Sequence, residues 1–340
     1  MAVVTAREYR QILSTSLAAR SSGIEDLVSD SNALYTLLRR RGNNRPFSGP
    51  EIRQTLQIDK QEAQWYSGYD FLANPPIELW NDAVFTPKSV VVPISLTGQE
   101  IRANQGVNQI HDIVDGTLEA AESALVDAFG VSLFGDGTAD GGKTIIGLAG
   151  VIPLAPATAG LYGGINRTNV PLWRTSAYDA DTDFPDIGTQ VTPVTIRQML
   201  MRIMGQRSRG NRSADLLVMS QEHYEAYDAA TTAIQRLTRE DSLGSMGFTA
   251  LEYVGAGKRA EIVLESGINN NMPSNTTYGI ETRSLRIRYR QGYNFASLFD
   301  GDGQMPINQD AIAQFVGWEG ALTLTNPLFT WVLHDSDPAS

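Results

Sequence analysis

Between residues 107 and 134, apolar side chains recur at three- and four-residue steps up to Ala128 and once more at Leu133. Val107, Ile110, Val114, Leu118, Ala121, Leu125, Ala128 and Leu133 make one stripe, the pattern of an amphipathic helix. His111, Asp112, Asp115, Glu119, Glu122 and Asp127 decorate the other faces. At 1.5 Å per residue the helix would be a rod about 42 Å long. Any fold for this chain must supply an apolar partner along that length. Phe134-Gly135-Asp136-Gly137 ends the run.

The segment after the helix contains GTADGGKT. Gly137 to Thr144 satisfies G-x-x-x-x-G-K-[ST], the phosphate-cradling loop of nucleotide hydrolases. That loop works only with a buried strand entering and a helix leaving, so that backbone amides and a helix dipole converge on phosphate. Here a long helix enters, and TIIGLAGVIP leaves with two glycines and a proline. A later apolar strand, Ala214–Met219, ends at Ser220, without the acidic residue that would hold magnesium. The segment is expected to be a turn. Two calcium-loop look-alikes fail similarly. DGTADG (136–141) has Thr138 at the third ligand position and Gly147 in place of the bidentate glutamate; DGDGQM (300–305) has Met305 at the required glycine and Ala311 at the twelfth position.

Composition narrows the chemistry further. Cysteine is absent, which excludes disulfides, thiolate metal sites and cysteine nucleophiles. The three histidines, His111, His223 and His334, are not at metal-ligand spacing. No cofactor is implied. Glu78, Asp82 and Glu100 are too dispersed to motivate a carbohydrate-active or other β-rich enzyme, the remotest reading. A net charge of −11 argues against a chain-wide grip on nucleic acid phosphate. Only four of the 27 cationic residues are lysine (Lys60, Lys88, Lys143, Lys258). Arginine is the cation favoured at protein–protein interfaces, and a GC-rich genome gives the same bias. No apolar run is long enough to span a membrane.

Residues 1–49 carry helical spacing but little bulk and end in LLRRRGNNRPFSGP. They read as an arm. Residues 50–96 read as an extended hairpin, two long strands joined by an irregular tip. Pro75, Pro76, Pro87 and Pro93 disfavour helix there. Trp65, Tyr66, Tyr69, Phe71, Trp80 and Phe85 lie within it. A lone two-stranded ribbon cannot cover such rings, so they are expected to contact either the chain's own body or a neighbouring molecule. Residues 150–190 read as extended loops anchored by Tyr162, Trp173, Tyr178 and Phe184. Thr192-Pro193 then opens a helix, ADLLVMS is a buried strand, and Ser220 starts a second helix. In LRIRYR, Leu285, Ile287 and Tyr289 alternate with Arg286, Arg288 and Arg290, giving one dry and one basic face.

An arm, a long hairpin, a helix ending in LFGDGT, an I-x-GL-x-G-x-I segment, then T-P-x-T-I-R-Q-M-L and DLLVMS occur in that order. In this layout the chain resembles the major capsid proteins of tailed bacteriophages, with the Hong Kong 97 phage capsid fold. The resemblance covers about residue 30 to the C-terminus and rests on order, no single motif being diagnostic. It implies an α+β fold with residues 97–189 as a peripheral domain around the spine helix 107–134. An α/β axial domain would follow at 190–275, and residues 276–340 would supply strands returning to the peripheral domain. It also implies a virion shell subunit assembled in the host cytoplasm, associating with itself in hexamers and pentamers around double-stranded DNA without sequence-specific binding. Portal, separate scaffolding and decoration proteins are the implied partners. The six hairpin aromatics would then contact a neighbour, and Arg39, Arg40, Arg41, Arg286, Arg288 and Arg290 would pair with its acidic surface. Some relatives join a hairpin lysine to a neighbour's asparagine, and Lys60 and Lys88 are the lysines in that region. An encapsulin-like compartment shares the architecture and is the alternative reading.

Overall fold

The computed structural model describes residues 32–61, 63–72, 75–99, 107–232, 250–265, 272–298 and 310–337. Its first element is the helix α1 (Ala33–Arg40), capped by Asn32, whose Oδ1 accepts the Tyr35 amide at 2.8 Å. Four strands follow: β1 (Asn44–Phe47), β2 (Ile52–Gln57), β3 (Trp80–Phe85) and β4 (Lys88–Thr97). The long helix α2 covers Val107–Phe134, as its periodicity requires. Next come a small hairpin, β5 (Leu161–Tyr162) and β6 (Ile165–Asn166), then β7 (Ser176–Asp179) and α3 (Ile196–Gln206). The remaining elements are β8 (Leu216–Met219), α4 (Gln221–Thr232), β9 (Ala250–Gly255), β10 (Lys258–Leu264), β11 (Thr276–Ile280), β12 (Leu285–Arg290), β13 (Ala296–Ser297), β14 (Ala311–Leu324) and β15 (Trp331–His334).

Two main sheets organise these strands. The first has the order β1-β12-β14-β13, with β4 along the other side of β14. Its apolar face comes from the dry side of β12 (Leu285, Ile287) and the matching positions Leu322, Leu324, Trp318 and Val316 of β14. Helix α2 lies against this sheet through Leu118, Leu125, Phe129 and Leu133. Phe129 meets Trp318 edge-on at 5.1 Å, and Tyr35 of α1 meets Phe129 at 5.3 Å. Ala128, expected on this stripe, is exposed, and Phe129 takes the inward place.

The second sheet runs β7-β15-β11-β8-β10-β9. All four residues of β8 are buried. Leu217 and Met219 face α3 and α4, while Leu216 and Val218 face the core shared with α1 and the first sheet. A strand covered on both faces loses its alternation and becomes continuously apolar, which is why LLVM reads as it does.

Three expectations are corrected. Residues 33–47 are built into the body, because six side chains of α1 are buried and β1 pairs in parallel with β12; the first 31 residues lie outside the described part. Of the expected hairpin, 88–97 leaves the ribbon and pairs with β14 over its whole length. The 190–275 unit is not self-contained. A central β8 needs a neighbour on each side, β10 supplies one, and β11 from residues 276–280 supplies the other, followed by β15 and β7.

Candidate inter-subunit interface

Strands β2 and β3 pair antiparallel, from Ile52 opposite Phe85 to Gln57 opposite Trp80. The root of this ribbon is fixed to the body. Ile52, Leu56, Ala83 and Phe85 are buried, and Phe85 packs edge-on against Tyr162 at 5.2 Å. Gly163, at φ +59°, accepts the Val84 amide at 2.9 Å, and a Cβ there would press on the Phe85 ring at 2.9 Å. Tyr162 is itself held by β14, its hydroxyl donating to the Leu322 carbonyl and accepting the Leu324 amide. Gln54 donates to Thr323 Oγ1 at 3.3 Å.

Beyond Gln57 one further bond, from the Ile58 amide to the Leu79 carbonyl at 3.0 Å, closes the ribbon, and the aromatic rings of the tip stand open. Trp65, Tyr69 and Phe71 are 101%, 108% and 93% exposed, and Tyr66, Leu72 and Trp80 are also open. Of the six aromatics expected at a contact with a neighbour, five are therefore presented outward. Phe85 is not among them: it shares the parity of Ala83 and faces the body, while Trp80 has the opposite parity.

The arginines divide more sharply. Arg41 is bound within the chain, to Asp215 at 2.5 Å, Glu261 at 2.8 Å and Thr282 Oγ1 at 2.7 Å, fastening the end of α1 to the second sheet. Arg290 pairs with Glu319 at 2.6 Å and lies over the Phe47 ring. Arg39 and Arg40 occupy the last turn of α1, where cations oppose the helix dipole, and both are engaged in interactions. Arg286 and Arg288 differ. Their Nε atoms are buried without an acceptor, and burial followed by the charges of Arg286 and Arg45 holds the Arg288 guanidinium below its ordinary pKa. Arg45, opposite Arg288 in the β1–β12 register, belongs to this cluster and was not singled out from sequence. Its signal was the N-R-P-F stretch beside β12, visible only once the pairing is known.

The GTADGGKT segment is a turn. Gly137, Asp140, Gly141 and Gly142 all have positive φ, and the Gly142 carbonyl accepts from Lys88 Nζ at 2.5 Å. Asp136 caps its own turn through Thr138, whose amide and hydroxyl hold its carboxyl below the usual range. With β4 and the end of α2, the turn lines an apolar groove of about 470 Å³ that includes Val91, Val131 and Lys143. The second calcium look-alike, 300–305, lies outside the described residues. Among the described residues no three His, Asp or Glu side chains converge on a metal position, and no helix is long and apolar enough to cross a membrane. Lys60 is exposed, whereas Lys88 is committed to the Gly142 carbonyl.

No protein-family model matches this chain, and no curated protein sequence matches it. Solved structures do. A chain of the cyanophage A-1(L) capsid asymmetric unit is 16% identical and aligns over 86% of this chain and 90% of that one, with a TM-score of 0.60. A chain of the capsid of an empty GTA particle is 11% identical and aligns over 87% of this chain and 95% of that one, with a TM-score of 0.51. The fold is the α+β, Hong Kong 97-type fold of tailed-phage capsid subunits.

Proposed function

We propose that the protein is the major capsid subunit of a tailed double-stranded DNA bacteriophage, assembling with itself through hexamers and pentamers into an icosahedral shell around the genome. One observation carries this reading: a chain with the fold of capsid subunits holds five large aromatic side chains in water at the end of an anchored ribbon. Rings of this kind bury about 150–250 Å² each, so five supply on the order of 1,000 Å². A standard interface takes about 800 Å² per partner. The tip alone is thus of the size that one specific contact with a neighbour needs.

The mechanism is mechanical and needs no bond-making step. Each contact contributes the apolar area removed from water, about 25 cal/mol per Å² gross. Lost rigid-body freedom and ordering of the tip reduce that figure heavily. Closure of the shell then comes from repetition, and marginal contacts keep assembly correctable. Portal, scaffolding and decoration proteins are the partners this role would require. Genome enclosure needs no sequence-specific contact, which suits a chain of net charge −11.

The test is to express the chain alone and examine it by electron microscopy and sedimentation, measuring the nucleic acid in the product. Closed shells, hexamers or pentamers are expected. Monodisperse monomer at every salt concentration would overturn the reading, and shells carrying a protein cargo in place of nucleic acid would reassign it to a cellular compartment.

A further inference from the structure

We propose that Arg45, Arg286 and Arg288 form a carboxylate-receiving patch that binds the acidic surface of a second copy of this chain. The inference rests on the shell reading and names a second contact for it, separate from the aromatic tip. Three observations carry it. Arg286 and Arg288 project from the same side of β12, and Arg45 stands opposite Arg288 on β1. Their β14 partners, Thr323 and Ala321, bring no charge. Finally, Arg290 on the same strand is paired inside the chain with Glu319, and Arg41 with Asp215 and Glu261.

What remains is an uncompensated cluster. The Nε atoms of Arg286 and Arg288 are buried and meet no acceptor, while Arg45 gives its Nε to the Gly42 carbonyl at 3.1 Å. A buried donor left unpaired is destabilising, and three like charges add repulsion. Planar guanidinium forks are matched best by carboxylate or phosphate. The patch favours protein carboxylate. Nucleic acid binding draws on many cations spread along a backbone, whereas this patch is small and bordered by Glu319. Every copy also carries 38 acidic against 27 basic residues, so a neighbour presents carboxylates in excess.

The experiment compares wild type with Arg286→Gln/Arg288→Gln and Arg286→Lys/Arg288→Lys by thermal unfolding, sedimentation at graded salt, and nucleic-acid content of the assembled product. The Gln variant is expected to unfold at the wild-type temperature or above it, because repulsion is relieved. Its assembly at low salt should fall at least tenfold and lose part of its salt dependence. The Lys variant, which keeps charge without the fork, should fall in between. A lowered unfolding temperature in the Gln variant would show that these groups serve the fold and would overturn the proposal. Assembly identical to wild type at all salts would also overturn it, leaving the shell reading intact. Normal assembly with lost nucleic acid would assign the patch to phosphate instead. A wild type that never assembles would overturn both readings together.

Discussion

The second sheet and the hairpin tip are built from the same kinds of residue and use them oppositely. In the sheet, Trp331, Tyr278 and Tyr253 are fully enclosed. Trp331 fits so closely that a Cβ on Gly279 would fall 2.1 Å from its indole. In the tip, Trp65 and Tyr69 touch no layer of the chain at all. A folding core is selected for its fit within one molecule. Rings that gain nothing for the monomer are retained only if something outside the monomer covers them. The contrast therefore separates residues that hold the chain together from residues that, on the proposed reading, hold copies of it to each other.

The largest test of that separation replaces residues 60–78 by a short glycine turn. Secondary structure by circular dichroism should be unchanged, since the root of the ribbon stays anchored by Phe85 and Gln54. Assembly should be lost. A deletion variant that still closes into shells would break the comparison.

Next in size is the sheet itself. Trp331→Ala should destabilise the monomer by about 3–5 kcal/mol, read by chemical denaturation, and Gly279→Ala should destabilise it by overpacking against the same ring. Either variant matching wild type would mean that the enclosed aromatics matter less than their burial implies.

A smaller effect tests how α1 is fastened. The half-buried Glu265 carboxylate accepts the Leu34 amide at 2.9 Å, and its loss of solvent pushes its pKa up to about 7 from 4.5. The folded state thus favours the protonated form. Its contribution is fully present below about pH 4.5 and is lost as pH rises towards 7, by about 3 kcal/mol. Glu265→Gln should remove this decline, so that the variant is the more stable protein at pH 8 and close to wild type at pH 4.5. Denaturation at the two pH values checks it; equal stability at pH 8 would show that the group ionises freely.

The smallest expected effect on folding is at the tip. Trp65→Ser and Tyr69→Ser should change monomer stability by no more than about 0.5 kcal/mol while weakening assembly measurably. A destabilised monomer would show that these rings have a place in their own chain.

What sequence could show depended on the distance over which a pattern acts. The α2 stripe repeats over the whole helix and gave its limits directly. The alternation in LRIRYR gave a dry and a basic face because parity along one strand is local. The hairpin aromatics were legible as a group, and parity would have separated Phe85 from Trp80. Partnerships across the chain were not legible. Arg41 meets carboxylates 174 and 220 positions away, and nothing beside it in sequence distinguishes it from Arg45. The departure of β4 from the ribbon was hidden because FTPKSVVVPISL has strand character throughout. Pro87, which cannot donate to a ladder, stands where β3 ends and β4 begins.

The order of strands in the second sheet bears on when the chain can complete its body. β15 lies inside that sheet, between β7 and β11, although it follows every other strand in the chain. During translation the aromatic ribbon leaves the ribosome long before the strand that completes the body supporting it. Chains interrupted before β15 lack an interior strand of that sheet, so under the proposed function a truncated product would be kept out of the shell by its own incomplete body.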